Sequence, residues 1–200
     1  MLDNNPKTVL VTGASGFIGT HCVLQLLQQG YKVRGTLRNL NREKHLREVF
    51  SKHTRVDDNL DFVQTDLLKD DGWAKAVSGC EYVLHIASPF PSETPENEDD
   101  LIIPARVGTL RVLSAASNAN VKRVVLTSSD AAIKIGHVGK VRDFDENDWS
   151  DLSGNIDVYA KSKTLAEQEA WKYIRSQAAN RPLELTVINP SYVMGPLLDG

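Results

Sequence analysis

Apolar residues follow two patterns that alternate along the chain. Six short apolar runs have the length of buried β-strands, and the segments between them carry apolar residues at helical spacing. Strands that alternate with helices at this rhythm indicate right-handed crossovers, so the pattern predicts an α/β fold with a doubly wound parallel sheet. The predicted strands are 9–11, 31–36, 60–64, 82–86, 123–127 and 183–188, and the predicted helices are 18–29, 42–51, 72–77, 101–118 and 158–178.

Local signals mark several ends of these predicted helices. Gly30 stands where the C′ residue of the first helix is expected, and Asp71 is a candidate N-cap for the short helix that runs through Val77. Pro182 cannot continue the last helix. The acidic run 92–100 contains proline and is predicted to be a solvated loop ahead of helix 101–118.

A glycine-rich turn joins the first predicted strand to the first predicted helix. Gly13 allows a tight turn, Gly16 lets a diphosphate approach the backbone, and Gly19 lets the helix lie close to the strand. The N–H groups at the start of the helix then face the anion, although a purely structural turn could use the same glycines. The candidate cofactor-binding residues in this turn are Gly13, Ser15, Gly16, Phe17, Ile18 and Gly19.

Basic residues follow the second predicted strand, at the point where a dinucleotide-binding fold meets the adenine ribose. An NAD enzyme places an acidic residue there, whereas this chain has Arg38, Arg42 and Lys44. Arg38 with Lys44 or Arg42 would neutralise a 2′-phosphate. The sequence therefore predicts a preference for NADP(H), with NAD(H) possible and a solvated basic turn as the alternative.

A tyrosine and a lysine share one face of the last predicted helix, because Tyr159 and Lys163 are four residues apart. A cation near a phenol favours the phenolate and so lowers its pKa toward the physiological range. Ser129 follows the fifth predicted strand, thirty residues before Tyr159. A Tyr-Lys pair alone is a weak signal, but this order of serine, Y-x-x-x-K and G-x-x-G-x-x-G is a strong one.

These motifs resemble the extended short-chain dehydrogenase/reductase family over essentially all 200 residues. The resemblance implies a Rossmann-like fold and hydride transfer between a nicotinamide and a carbonyl or alcohol. It implies that Tyr159 is the acid/base, that Ser129 hydrogen-bonds the substrate oxygen, and that Lys163 lowers the tyrosine pKa and holds the nicotinamide ribose. Segments 87–90, 159–167 and 189–196 look most like the dihydroflavonol 4-reductase and yeast-type ketone/aldehyde reductase branch.

The same resemblance implies further contacts with the cofactor. The carboxylate of Asp66, with Leu67 beside it, would contact the adenine, although Asp66 could equally cap the next turn. Ala87 begins the nicotinamide-side loop, which continues through Phe90 and Pro91. Pro190 and Val193 match the segment that supports the carboxamide side of the nicotinamide.

Three other functions are alternatives to a reductase. A nucleotide-sugar dehydratase usually has Asp-Glu after the serine or threonine of strand five, and here Ala131 follows Asp130. An epimerase or a steroid-dehydrogenase-like enzyme stays open, although an epimerase would normally hold NAD through an acid where Arg38 stands. A protein of this fold that only binds NADP would ordinarily lack the Tyr-Lys pair.

Composition narrows the class of protein further. A net charge of −3, with 41% hydrophobic and 24% charged residues, predicts no nucleic-acid and no membrane partner. The only two cysteines, Cys22 and Cys80, are predicted to be buried fillers in a reduced compartment, and no metal site is expected. His85, inside the fourth strand, is predicted to be packed rather than catalytic. The N-terminus lacks a signal-peptide pattern, which indicates the cytoplasm.

The chain ends just beyond its sixth predicted strand. We expect residues 1–200 to form a single NAD(P)-binding Rossmann domain, because the length suits one domain. Members of the family continue for a further hundred or more residues that form most of the substrate lobe, so that lobe is expected to be largely absent here. The substrate would be a small carbonyl or alcohol, and a homodimer through helices 101–118 and 159–178 is possible in this family.

Overall fold

The computed structural model describes residues 6–89, 93, 95–139, 142–177 and 183–198. Six strands form one parallel sheet with the order β3-β2-β1-β4-β5-β6. The strands are β1 Thr8–Thr12, β2 Lys32–Leu37, β3 Leu60–Gln64, β4 Tyr82–His85, β5 Arg123–Thr127 and β6 Glu184–Ile188. The α-helices are α1 Phe17–Gln28, α2 Glu43–Ser51, α3 Trp73–Val77, α4 Asp99–Asn118 and α5 Val158–Arg175. The predicted doubly wound parallel sheet is confirmed.

Helices cover both faces of the sheet because neighbouring residues of a strand point to opposite sides. Val11 lies in a core with α1 and α2, which contains Val23 and the fully buried Phe50. Leu10 points the other way, into a core that α3, α4 and α5 build against β4 and β5. The order in which successive strands join the sheet therefore reverses at β1, because β2 and β3 lie on one side of it and β4 to β6 on the other, and this places a crevice at the carboxyl ends of β1 and β4.

Most element boundaries fall within two residues of the predicted ones. At the end of α1 the agreement has a clear cause, the glycine cap. Gly30 has a φ of 83° and its N–H donates to Leu27 O, while Tyr31 N–H donates to Leu26 O. This is the C-terminal motif that a glycine at C′ predicts, so that prediction is confirmed.

One predicted cap and one predicted helix boundary are wrong. The N-cap of α3 is Gly72, whose φ of 84° no ordinary residue adopts readily, and the Asp71 side chain does not cap this helix. Asp99 and Asp100 lie in the first turn of α4, where their charge favours the helix N-terminus, rather than in the preceding loop. Ala178, Pro182 and most of 90–94 lie outside the described residues.

Within the part of the chain that the structure describes, no helix is long and apolar enough to cross a membrane.

Candidate active site

The carboxyl ends of β1 and β4 are joined by the Thr12 hydroxyl. Thr12 and His85 are register partners, and Thr12 Oγ1 lies 2.8 Å from His85 Nδ1. The same oxygen accepts hydrogen bonds from the backbone N–H groups of Ile86 and Ala87, each at 3.0 Å. The two loops that leave the sheet at the crevice, after Thr12 and after His85, are therefore held at a defined separation.

The glycine turn lies directly against this junction. Gly13 has a φ of 67°, and a Cβ there would come within 3.1 Å of the Ala87 backbone. A Cβ on Gly19 would overlap the carbonyl oxygen of Gly13, so α1 can lie this close to the turn only with glycine at this position. The positive φ of Gly13 fits the tight turn predicted for it, and the close approach of the first helix predicted for Gly19 is confirmed.

The start of α1 has the features of an anion site. Gly16 is the N-cap, no side chain caps the helix, and its first turn contains no acidic residue. A Cβ on Gly16 would meet only the Gly13 carbonyl oxygen, at 3.4 Å, so the exposed side of the turn is open. Ser15, Phe17 and Ile18 are partly exposed beside it. This cradle fits a dinucleotide diphosphate, because helix N–H groups without partners favour an anion.

Basic side chains lie at the end of β2. Arg38 and Lys44 are exposed, and neither forms an ion pair with any residue that the structure describes. Gln64 Nε2 donates to the Arg38 carbonyl at 3.0 Å, which attaches this corner to β3. The two cations are thus available to an external anion such as a 2′-phosphate.

The two residues predicted to contact the adenine have structural roles in this chain. Asp66 Oδ1 accepts a hydrogen bond from the Leu68 N–H at 2.9 Å, which is the turn-capping interpretation of that residue. The Leu67 carbonyl accepts from Arg111, and the Leu67 side chain packs against Gly108 of α4. Their contact with a cofactor stays a prediction.

Ser129, Tyr159 and Lys163 come together where β5 ends and α5 begins. Ser129 is buried, and its Oγ accepts from the Ala131 N–H at 3.1 Å. Its side chain also forms a hydrogen bond with that of Tyr159. Lys163 Nζ lies 5.7 Å from the centre of the Tyr159 ring. Asp157 caps α5 by accepting from the Ala160 N–H at 2.8 Å, which starts the helix just before Tyr159.

The ionisation of Tyr159 differs from the sequence-based expectation. Burial raises its pKa above the usual value, and the Ser129 hydrogen bond, which lowers it, does not compensate. Burial likewise lowers the pKa of Lys163 to about 8, against the opposing charge of Glu167. The Tyr159 pKa is therefore raised rather than lowered in this structure, because desolvation outweighs the hydrogen bond that favours the phenolate, and the effect of Lys163 on it stays a prediction.

His85, on β4, lies close enough to Lys163 for its pKa to be affected by the lysine charge. Its burial and its hydrogen bond to Thr12 are consistent with the packed, non-catalytic role predicted for it. It is completely buried, and burial together with the positive charge of Lys163 lowers its pKa to about 3. Since Thr12 Oγ1 already accepts two backbone N–H groups, its hydroxyl proton is directed at His85 Nδ1. This arrangement assigns the imidazole proton to Nε2.

Two residues of the site were missed in the sequence. Glu167 is buried, with 6% of its surface exposed, and its Oε2 accepts from Asn189 Nδ2 at 2.8 Å. The same amide nitrogen donates to the Ser129 carbonyl at 3.1 Å. The signal available was spacing, because Tyr159, Lys163 and Glu167 repeat every four residues and so follow one side of α5.

The segment after β6 returns over the glycine turn. The Pro190 carbonyl accepts from the Asp130 N–H at 3.0 Å, which places Pro190 beside the Ser129 segment. The Pro196 carbonyl lies 3.0 Å from His21 Nε2 on α1. Val193 is half exposed and makes no described contact with the Tyr159 cluster, so its role stays a prediction. Phe90 and Pro91 lie outside the described residues.

The cysteines are apolar fillers. Cys80 is buried and Cys22 partly buried, and burial raises the pKa of both thiols. Within the described ranges no three His, Cys, Asp or Glu side chains are grouped as a metal site would require.

Comparison with known proteins places these features in a wider context. The NAD dependent epimerase/dehydratase family matches residues 9–200. Tetraketide alpha-pyrone reductase 1 of Arabidopsis thaliana is 38% identical over 202 residues, which cover 98% of this chain and 60% of that protein. Dihydroflavonol 4-reductase of Dianthus caryophyllus is 38% identical over 96% of this chain and 53% of its own length.

A solved structure shares the fold. Gre2 from Candida albicans, crystallised in complex with NADPH, superposes with a TM-score of 0.84 at 34% identity. The match covers 96% of this chain and 60% of Gre2. The chain thus spans only a little over half the length of these relatives.

Proposed function

Because this chain belongs to the NAD dependent epimerase/dehydratase family, we propose that it acts in an NADPH-dependent reductase of ketones or aldehydes. The observation that carries the proposal is the grouping of Ser129, Tyr159 and Lys163 at the carboxyl edge of the sheet that also carries the glycine turn. The reductase names of the relatives and the NADPH bound to Gre2 support the same reaction class.

The dinucleotide would lie across the crevice between β1 and β4. The open start of α1 would receive the diphosphate, and Arg38 with Lys44 would neutralise the 2′-phosphate at the end of β2. Ala87, Pro190 and Val193 would border the nicotinamide half. When bound, the cofactor supplies a hydride to the carbonyl carbon of the substrate.

The side chains of this chain would provide the proton and the orientation. Tyr159 would donate its phenolic proton to the carbonyl oxygen while the carbonyl carbon receives the hydride, so the product is the alcohol and the phenolate is reprotonated from water. The raised pKa keeps Tyr159 in the protonated form that a donor needs. Ser129 would hydrogen-bond the same oxygen, and the ammonium of Lys163 would offset the phenolate charge and hold the ribose hydroxyls.

We expect the substrate to be a small carbonyl or alcohol compound, held partly by residues from the rest of the protein's length. An epimerase or steroid-dehydrogenase-like enzyme and a protein that only binds NADP(H) are the alternatives from the sequence. Ala131, which follows Asp130, leaves the Ser129 turn without the glutamate that a dehydratase would use as base.

The test replaces the proton donor alone. Tyr159→Phe in the full-length natural protein should lower kcat for carbonyl reduction on the order of 10²-fold, since the ring stays and only the transferable proton is lost. NADPH affinity should change little. Tyr173→Phe, at the other end of α5, is the matched control and should keep wild-type turnover. Near-normal turnover of the Tyr159 variant would exclude it as the donor, and NADPH binding without any turnover by the wild type would favour a binding protein.

A further inference from the structure

Glu167 is a buried acid without a part in the reaction proposed above. It lies on α5, one turn beyond Lys163, with 6% of its surface exposed. A carboxylate in such a position is costly unless it is hydrogen-bonded and paired with a charge. Its partners therefore indicate what the carboxylate does for the site.

The carboxylate connects α5 to the segment that follows β6. One oxygen accepts from Trp171 Nε1 at 3.3 Å on the same helix, and the other accepts from Asn189 Nδ2 at 2.8 Å. Asn189 then donates to the Ser129 carbonyl at 3.1 Å. Two backbone hydrogen bonds also join the Ser129 segment to the end of β6 and the residues after it. Ser128 N–H donates to Ile188 O at 2.8 Å, and Asp130 N–H donates to Pro190 O at 3.0 Å.

The charge of the carboxylate also acts on Lys163. Burial disfavours the ammonium, and the negative charge of Glu167 is the group that favours it. From β4, His85 faces Lys163 but is neutral, and Tyr159 on α5 is neutral as well. Glu167, one helical turn from Lys163 on α5, is thus the group whose charge favours the ammonium.

We infer that Glu167 is a positioning residue that, through Asn189, holds the Ser129 segment against α5 and places a negative charge one helical turn from Lys163. The functional meaning of this inference rests on the proposed function, because the reductase reaction is what needs Ser129 held in position and Lys163 charged. The hydrogen bonds and the charge can be separated by substitution. Glu167→Gln keeps an oxygen that can accept from Asn189 and removes the charge, whereas Glu167→Ala removes both.

The charge is tested by titrating Lys163 in the free protein, through the NMR shift of the carbon next to its amine. Glu167→Gln should lower the Lys163 pKa by about one unit, since an opposite charge within a few Å shifts a pKa by one unit or more. Glu169→Gln is the matched control, because Glu169 is two residues further on α5 and pairs with Arg106 at 3.0 Å. An unchanged Lys163 pKa in Glu167→Gln would overturn the electrostatic part.

The hydrogen bonds are tested by amide exchange at Ser128 and Asp130. Glu167→Ala and Asn189→Ala should each speed exchange at these two amides by about tenfold or more, with Glu167→Gln within about twofold of the wild type. Wild-type exchange in Asn189→Ala would refute the positioning role. Equal acceleration along all of α5 would do the same, because it would mean that the helix itself is destabilised.

NADPH affinity links this inference to function. If Lys163 holds the ribose, Glu167→Gln should bind NADPH within twofold of the wild type at pH 6 and about fivefold more weakly at pH 8, where Lys163 loses its proton first. If the ratio of the NADPH dissociation constants of Glu167→Gln and the wild type were the same at pH 6 and pH 8, the link would be contradicted. The titration and exchange experiments use neither cofactor nor substrate, so their results do not depend on catalytic activity. If the protein reduced no carbonyl, only the proposed reaction would be refuted.

Discussion

At the scale of single residues, burial controls the ionisation of the groups at the carboxyl edge of the sheet. Tyr159 is held neutral by a raised pKa, Lys163 titrates at about 8, and His85 stays neutral down to about pH 3. Each shift has the sign that desolvation of a charged form requires. Near pH 7 the site thus offers a protonated phenol, an ammonium and an uncharged imidazole, which suits reduction of a carbonyl.

Cofactor choice is expected to depend on Arg38. Arg38→Asp should reverse a preference for NADPH over NADH that we expect to be at least about tenfold, since the carboxylate would repel a 2′-phosphate and accept from a 2′-hydroxyl. Fluorescence titration with both dinucleotides measures the two dissociation constants. Lys32→Asp makes the same charge change at the opposite end of β2 and should keep the wild-type preference. Equal dissociation constants of the wild type for NADPH and NADH would refute the role of Arg38.

The buried imidazole is expected to make the protein acid-sensitive. His85 has a pKa of about 3 when folded and an ordinary value of 6.5, so below pH 6.5 the unfolded chain binds the extra proton. Its contribution to stability is complete above about pH 6.5 and is lost as the pH falls toward 3, at about 1.4 kcal/mol per pH unit.

Denaturant unfolding between pH 7 and pH 4 measures this loss. His85→Asn keeps an oxygen that can accept from Thr12 and should show a shallower pH dependence than the wild type. His53→Asn, in the exposed turn just after α2, should follow the wild-type slope. Identical slopes for the wild type and the His85 variant would mean that the imidazole does not remain neutral in the fold.

At the scale of elements, the two ends of α1 use glycine for different reasons. At the first end, Gly19 gives the helix room to pack against the Gly13 carbonyl. At the other end, Gly30 supplies a positive φ in open space, with nothing within 4 Å of an added Cβ. α4 and α5 pack along each other within the chain, joined by Arg106 and Glu169. Their pairing across a homodimer stays a prediction.

The two glycines are expected to respond differently to alanine. Gly19→Ala should cost about 2–3 kcal/mol and weaken NADPH binding at least tenfold, because α1 must move away from the turn. Gly30→Ala should cost about 1 kcal/mol, the strain of a left-handed residue, and leave NADPH affinity unchanged. Denaturant unfolding and fluorescence titration separate the effects. A Gly19 variant that binds NADPH normally would show that the close approach is not needed for the cofactor.

At the scale of the whole molecule, apolar side chains lie exposed at the last residue of β6 and beyond it. Tyr192 is 94% and Met194 88% exposed, and Ile188 and Leu197 are also largely accessible. β6 is an edge strand, whose residues alternate between exposed and half-buried. Exposed apolar side chains grouped in this way are typical of a surface that another part of a protein covers. The match to the relatives covers about 60% of their own length.

We therefore expect the 200-residue chain to bind NADPH but to reduce carbonyls poorly. The glycine turn, the basic corner and the Tyr159 cluster are all present, whereas a substrate held without a complete pocket loses orientation and stays exposed to water. NADPH affinity and ketone reduction should be measured on this chain and on the full-length natural protein. Equal turnover would show that no further residues build the substrate pocket, and undetectable NADPH binding would show that these residues are not a sufficient cofactor site.

Sequence patterns were enough to predict the order of elements, the parallel sheet and the conformational reasons for Gly13, Gly19 and Gly30. Those properties depend on short-range physics: the period of apolar residues selects strand or helix, and Gly13, Gly19 and Gly30 stand where a side chain would clash or be strained. Spacing of four residues was also enough to place Tyr159 and Lys163 on one side of a helix.

The ionisation of Tyr159 and Lys163, and the hydrogen bonds that support them, depend on contacts between distant parts of the chain. The Glu167–Asn189–Ser129 connection joins residues from three elements, and no local pattern specifies that an amide will bridge two of them. The sequence also suggested a lowered pKa for Tyr159, because it shows a nearby cation but not how much water the fold removes. Desolvation depends on every atom packed around a group, and that packing exists only once the chain has folded.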